Sequence, residues 1–227
     1  MKLEETKFFD RGYGGIFGII SIFIALIGMG ISYSAFPGYV IGDHTISMLG
    51  VGRLGISFNI GSILSGLLAI PYYLNLSYNF QKEGMKERLV QGSIISSFGS
   101  CVGYIFVGVF PVLDSILFFY VAHMIFAIIT FMSGAVYLLT FAYMMYYSKN
   151  FTKLQAFHSI VVCTFYLAFL FSQIPLLEWL ALFGLISWIS FNSVYLIVIN
   201  YQKLLNRKER NKEKSNQREA EEKIQSN

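Results

Sequence analysis

Six long apolar runs decide what this chain can fold into. They occupy residues 14–36, 54–78, 90–110, 116–147, 157–174 and 180–201. At about 1.5 Å of rise per residue, a run of about 20 residues crosses a hydrocarbon core about 30 Å thick. Backbone polar groups find no water there, so each run must close its hydrogen bonds internally, as a helix. The expected fold class is all-α: a polytopic membrane protein built as a bundle of six transmembrane helices. Composition points the same way, since 13% of residues are charged against about 25% in soluble domains. The fourth run is long enough to tilt or project, and the fifth is the shortest. A basic start precedes the first run, but a signal-peptide core has only about 7–15 apolar residues. The longer run 14–36 is therefore expected to be a retained span.

The basic residues assign the sides. Sixteen of the seventeen Lys and Arg lie in segments 1–13, 79–89, 148–156 and 202–227; the segments 37–53, 111–115 and 175–179 hold Arg53 alone. Under the positive-inside rule both termini are cytoplasmic. The expected organisation is a cytoplasmic N-terminus (1–13), a six-helix domain (14–201) and a charged cytoplasmic tail (202–227), placed in the cell membrane. Pro37, Pro111 and Pro175 fall at the expected outer ends, where a lost helical hydrogen bond matters least. Pro71 lies inside the second span and is expected to kink it. Asn75-Leu-Ser and Asn150-Phe-Thr match the glycosylation pattern but fall on the expected cytoplasmic side, so they are discounted. Cys101 and Cys163 sit in apolar runs and read as small buried hydrophobes, not a disulfide.

Small residues recur at helical spacing. The third run carries Ser93, Ser96, Ser97, Ser100 and Gly103; the second carries Gly55, Asn59, Ser62 and Gly66; the fourth carries His123, Ala127, Thr130 and Gly134. In lipid, close backbone approach and interhelical hydrogen bonds drive association, so these three faces are expected to meet. Gly28 lies away from them.

Polar chemistry concentrates in "GDHTISMLGVGR", residues 42–53. It holds Asp43, His44, Thr45, Ser47 and Arg53 and runs straight into the second span. Asn59 and His123 each lie one to two turns below the same surface, roughly 10 Å deep. Asp114 closes the next outer turn, and Glu178 sits in the last. The expected pocket set is Asp43, His44, Ser47, Arg53, Asn59, Asp114 and His123, with Glu178 at its margin. An ionisable residue within a span is a functional candidate by default, and His123 is the clearest one. Two histidines and a carboxylate suit zinc, but no His-x-x-x-His or Cys-x-x-Cys spacing supports a metal, and none is expected. Ser47 with a histidine and Asp43 or Asp114 could form a nucleophile system, though no Gly-x-Ser-x-Gly elbow is present. The reading that asks least of the sequence is a polar pocket that holds a lipid headgroup or fixes the loop. Gly50, Gly52 and Gly55 let such a loop fold back over the bundle as a lid. His158, at the start of the fifth span, reads as interfacial.

At these residues a resemblance enters. "TISMLGVG", "FNIGSILSGLL", "GSCVGYIFVGVFP" and "AHMIFAIITF" together resemble a prokaryotic family of six-span membrane proteins of unknown function. That family is similar in turn to the eukaryotic group of damage-regulated autophagy modulators and Frag-type GPI-anchor lipid-remodelling proteins. The shared outline maps onto Ile46, Ser47, Leu49, Gly50, Asn59, Gly108, Pro111 and His123. Eukaryotic relatives often show Ile-Ser-Asp where this chain has Met48, so no role needing that acid carries over. The resemblance implies membrane-lipid handling and names no catalytic residue.

The tail from Lys203 to Lys214 holds six basic and two acidic residues, a composition suited to anionic headgroups. It lacks aromatic interleaving, so nucleic acid is not an expected partner. The leading expectation is a non-enzymatic protein that binds or organises membrane lipid without a cofactor. An integral lipid hydrolase or acyltransferase is the alternative. A small transporter or channel comes third, because midplane charge and internal repeats are scarce.

Overall fold

A computed structural model describes residues 13–113 and 115–225. It contains six long helices: α1 (Tyr13–Ser34), α2 (Gly55–Lys82), α3 (Glu87–Val109), α4 (Leu117–Tyr147), α5 (Lys153–Ser172) and α6 (Pro175–Gln225). All six are long and apolar enough to cross a membrane, α6 through its portion Pro175–Gln202. No strand occurs among the described residues. The chain is a multi-pass membrane protein.

Each helix packs on the next in the chain, and α6 returns to α1, so the six close into a ring. One face of the ring carries the lid, residues 35–54 between α1 and α2, with a 3-10 turn at Ile46–Val51. The opposite face carries the α2–α3 and α4–α5 loops. There the Glu83 carboxylate accepts from Ser148 Oγ (2.6 Å), Lys149 N–H (3.1 Å) and Asn150 Nδ2 (2.7 Å), tying the two loops together.

The helix boundaries follow local chemistry. Thr152 and Gln155 form a reciprocal capping box at the start of α5, which satisfies two otherwise unpaired amides. Gln173 adopts the left-handed conformation (φ 56°) at the end of α5, leaving only Gln173 and Ile174 before α6 begins at Pro175. This corrects the reading of residues 175–179 as a loop. Proline at the first helical position loses no hydrogen bond, because that amide has no partner anyway. Helix α2 continues through Pro71.

Small residues set the close contacts. A Cβ on Gly103 would lie 2.5 Å from Thr130 Oγ1 and 2.9 Å from the Phe126 carbonyl of α4. One on Gly66 would meet Ile105 of α3 at 2.7 Å, and one on Gly134 would meet Tyr166 of α5 at 2.5 Å. Ser100 Oγ donates to the Thr130 carbonyl (3.0 Å), and Ser77 and Ser93 pair across α2 and α3 (2.9 Å). Ser62, Ser96 and Ser97 are buried, each donating to a carbonyl of its own helix. Gly28 is a correction: its Cβ would stand 2.5 Å from the Ser57 carbonyl and 3.0 Å from Gly61 Cα. It is the point where α1 and α2 meet backbone to backbone.

Away from the lid, the ring is filled. Tyr72, Tyr73, Tyr137, Phe141 and Trp188 are buried together. Tyr73 donates to Tyr137 Oη (2.9 Å), Trp188 Nε1 to Ser159 Oγ (2.6 Å) and Gln155 to Asn192 (3.0 Å). His158 is half-buried and pairs with Ser187 of α6 (2.9 Å). Cys101 and Cys163 are buried free thiols.

Candidate functional site

The lid is pinned at both ends and in the middle. Ser32 Oγ donates to the Leu49 carbonyl (2.5 Å), and Asn59 Nδ2 to the Gly50 carbonyl (3.0 Å). Gly55 lies where a Cβ would stand 2.3 Å from that same Gly50 oxygen, so no larger residue fits beneath the lid. Tyr39 Oη donates to the Thr45 carbonyl (2.8 Å). Burial raises the Tyr39 pKa well above the usual tyrosine value, so the phenol keeps the proton it donates. Trp179 of α6 adds its indole N–H on the His44 carbonyl (3.3 Å). Tyr39, Ile46, Leu49, Phe58 and Trp179 form a separate apolar cluster under the lid.

Glu178, in the first turn of α6, makes the central contact. Its Oε2 accepts the backbone N–H of Ile46 at 2.8 Å, and its Oε1 lies 3.4 Å from Ser47 Oγ. Ile46 opens the 3-10 turn, and Thr45 before it provides no side-chain cap. The carboxylate therefore satisfies, from another helix, an amide that the turn leaves unpaired. Glu178 is 6% exposed.

Below this contact lies a cavity of about 140 Å³, lined by all six helices. Ile46 and Ser47 of the lid and Glu178 stand at one end; Tyr73, Tyr137 and Ile189 stand towards the filled half of the ring. Along α6 the lining runs from Glu178 through Leu182, Leu185 and Ile186 to Ile189, about 16 Å at helical rise. The walls are mainly apolar. Glu178 is the one carboxylate among the lining residues, and none of them is Lys, Arg or His.

The expected pocket residues disperse. Of those described, only Ser47 reaches the cavity. Asp43 and Arg53 are exposed on the lid. His44 is half-buried, with Nδ1 accepting from the Val40 N–H (3.2 Å) and its ring against Tyr39 (5.2 Å). Asn59 is buried and holds the lid through Gly50, while its Oδ1 has no partner. Asp114 lies outside the described residues. His123 is 3% exposed and lies inward, but its Nδ1 stands 2.7 Å from the Phe110 carbonyl at the end of α3. A carbonyl only accepts, so Nδ1 carries the proton and the ring caps α3. The contact expected between His123 and Asn59 or the lid is replaced by this cap. Ser47 consequently has a carboxylate neighbour and no imidazole. Among the described residues no three His, Cys, Asp or Glu side chains converge as a metal site would require.

Glu178 itself was legible only as a marginal member of the set. The signal that finds it is Pro175, read as a helix start: the span then begins five residues earlier and contains an ionisable residue.

A ring of six spans with a lid pinned to a buried acid and a cavity lined by all six helices defines a class: a polytopic membrane protein with a cavity within its helix bundle. Residues 19–200 match the family model described as protein of unknown function, DUF998, and the chain belongs to that family. No curated protein sequence and no solved structure matches it.

Proposed function

We propose that the protein is a non-enzymatic binder of a membrane amphiphile, taken up in the six-helix cavity with its polar end beneath the lid. The observation that supports this is the cavity's polarity gradient, with Glu178 and Ser47 at one end and leucines, isoleucines and aromatic side chains along its length. Few precisely placed polar groups on an apolar wall are how proteins orient amphipathic ligands.

In this reading the lid faces the outer side of the cell membrane and the Glu83 clamp faces the cytoplasm. The Lys and Arg distribution supports that orientation. The pocket is the chamber, and Asp43 and Arg53 stand exposed on the lid.

Native mass spectrometry of gently extracted protein tests the proposal. Retained lipid-sized mass in the wild type, lost in a cavity-filling Ala127→Trp variant that still melts cooperatively, is the expected result. Equal adducts on both proteins would place the lipid on the outer surface and remove the chamber from the function.

A further inference from the structure

We infer that the amphiphile held in this chamber carries a primary amine, with its ammonium seated on Glu178. The inference rests on the cavity-binding reading above and adds the chemistry of the ligand's polar end.

Charge comes first. A carboxylate buried inside a membrane span is costly unless a cation or several strong donors compensate it. Glu178 receives one short N–H bond from Ile46 and one long contact from Ser47. Among the described residues no Lys, Arg or His lines the chamber, and no described cation pairs with Glu178. The chamber therefore holds an acid with no described cation beside it.

The donor–acceptor balance is the second, independent observation. Three serines of the wall donate their protons to backbone carbonyls: Ser21 to Gly18 (2.8 Å), Ser65 to Ser62 (3.4 Å) and Ser100 to Thr130 (3.0 Å). What they turn to a ligand is lone pairs. They add acceptors to a wall that also carries the phenols of Tyr73, Tyr104, Tyr137 and Tyr166, and at the lid end the acceptor is Glu178. An ammonium has three donors and no acceptor, so it complements Glu178. A phosphate or carboxylate head would meet acceptors and a like charge. A quaternary ammonium offers no N–H to donate. An alcohol supplies a single donor and no charge.

Geometry limits the head to a small one. Ile46 and Ser47 stand directly at Glu178, and the apolar lining continues from there along α6. A long-chain primary amine has that shape and polarity.

The test uses the full chain in a non-ionic detergent near neutral pH. Binding of dodecylamine, dodecanol and dodecyl phosphate is measured by thermal stabilisation over a concentration series. The expected result is amine binding on the order of tenfold tighter than alcohol, as charge-assisted hydrogen bonds require, with no stabilisation by the phosphate. Glu178→Gln keeps the size and one acceptor; it should bring the amine down to the alcohol's affinity. If that variant fails to fold, the ranking of the three heads on the wild type decides alone. Equal affinity for amine and alcohol, both abolished by Ala127→Trp, would overturn the amine while leaving the chamber intact. Stabilisation by none of the three would overturn the amine and the chamber together. A preference for amine that survives in Glu178→Gln would assign the selectivity elsewhere and also overturn the inference.

Discussion

The Ile46 amide donates to the Glu178 carboxylate across 2.8 Å and 132 residues of sequence. This bond makes the lid part of α6. Removing the acceptor leaves a buried N–H without a partner, which costs about 1–3 kcal/mol. Glu178→Ala should therefore lower the thermal midpoint clearly, and Glu178→Gln, whose amide oxygen still accepts, should lower it less. A melting curve for Glu178→Ala at least as stable as that of Glu178→Gln would mean that the lid is held by its other contacts alone.

The second prediction concerns sidedness. Asp43 is exposed on the lid, Lys86 is exposed on the opposite face, and residue 215 lies in α6 beyond its spanning portion. Both native cysteines are buried, so the background should be low. A membrane-impermeant thiol reagent added to intact cells should label Asp43→Cys and spare Lys86→Cys and Ser215→Cys. Labelling at position 86 would reverse the orientation.

The glycines give a prediction that separates close approach from mere placement in a span. Gly28 meets the α2 backbone and Gly103 meets α4, whereas nothing lies within 4 Å of a Cβ on Gly30. Gly28→Leu and Gly103→Leu should each destabilise by about 1–3 kcal/mol or more, because backbone atoms cannot yield as flexible side chains do. Gly30→Leu should be neutral or slightly stabilising, since leucine is the better helix former. Similar melting temperatures for all three would show that the helices separate without loss.

Hydropathy made the six spans legible because a span is an average over about 20 residues, and one misplaced boundary does not erase it. The site depended on single residues and was more fragile. Reading Pro175 as a terminator left Glu178 outside its helix, and the one acid of the chamber was moved to the margin. Depth alone brought Asn59 and His123 together, but depth says nothing about which helix stands between them. The ring order inserts the end of α3: a Cβ on Gly108 would lie 2.6 Å from the Asn59 carbonyl, and Phe110 receives His123. The charged residues of the lid were conspicuous in sequence because they are soluble. Asp43 and Arg53 are exposed, and the part of the lid that packs inward is the apolar, backbone-bonded segment around Ile46 and Leu49.

His123 provides a final test that distinguishes a capping role from a ligand role. Its ring is buried and donates from Nδ1 to the Phe110 carbonyl, one of the carbonyls that the end of α3 leaves unpaired. His123→Phe restores bulk and apolarity but removes the donor, so it should cost about 1–3 kcal/mol. His123→Asn places an amide N–H near the position of Nδ1 and should recover part of that loss, although it is smaller. His123 does not line the chamber, so neither variant should alter the amount of retained amphiphile per folded molecule. Thermal melting and native mass spectrometry on the same samples separate the two effects. Loss of the amphiphile from a variant that melts like the wild type would return His123 to the binding site and contradict its assignment as a cap.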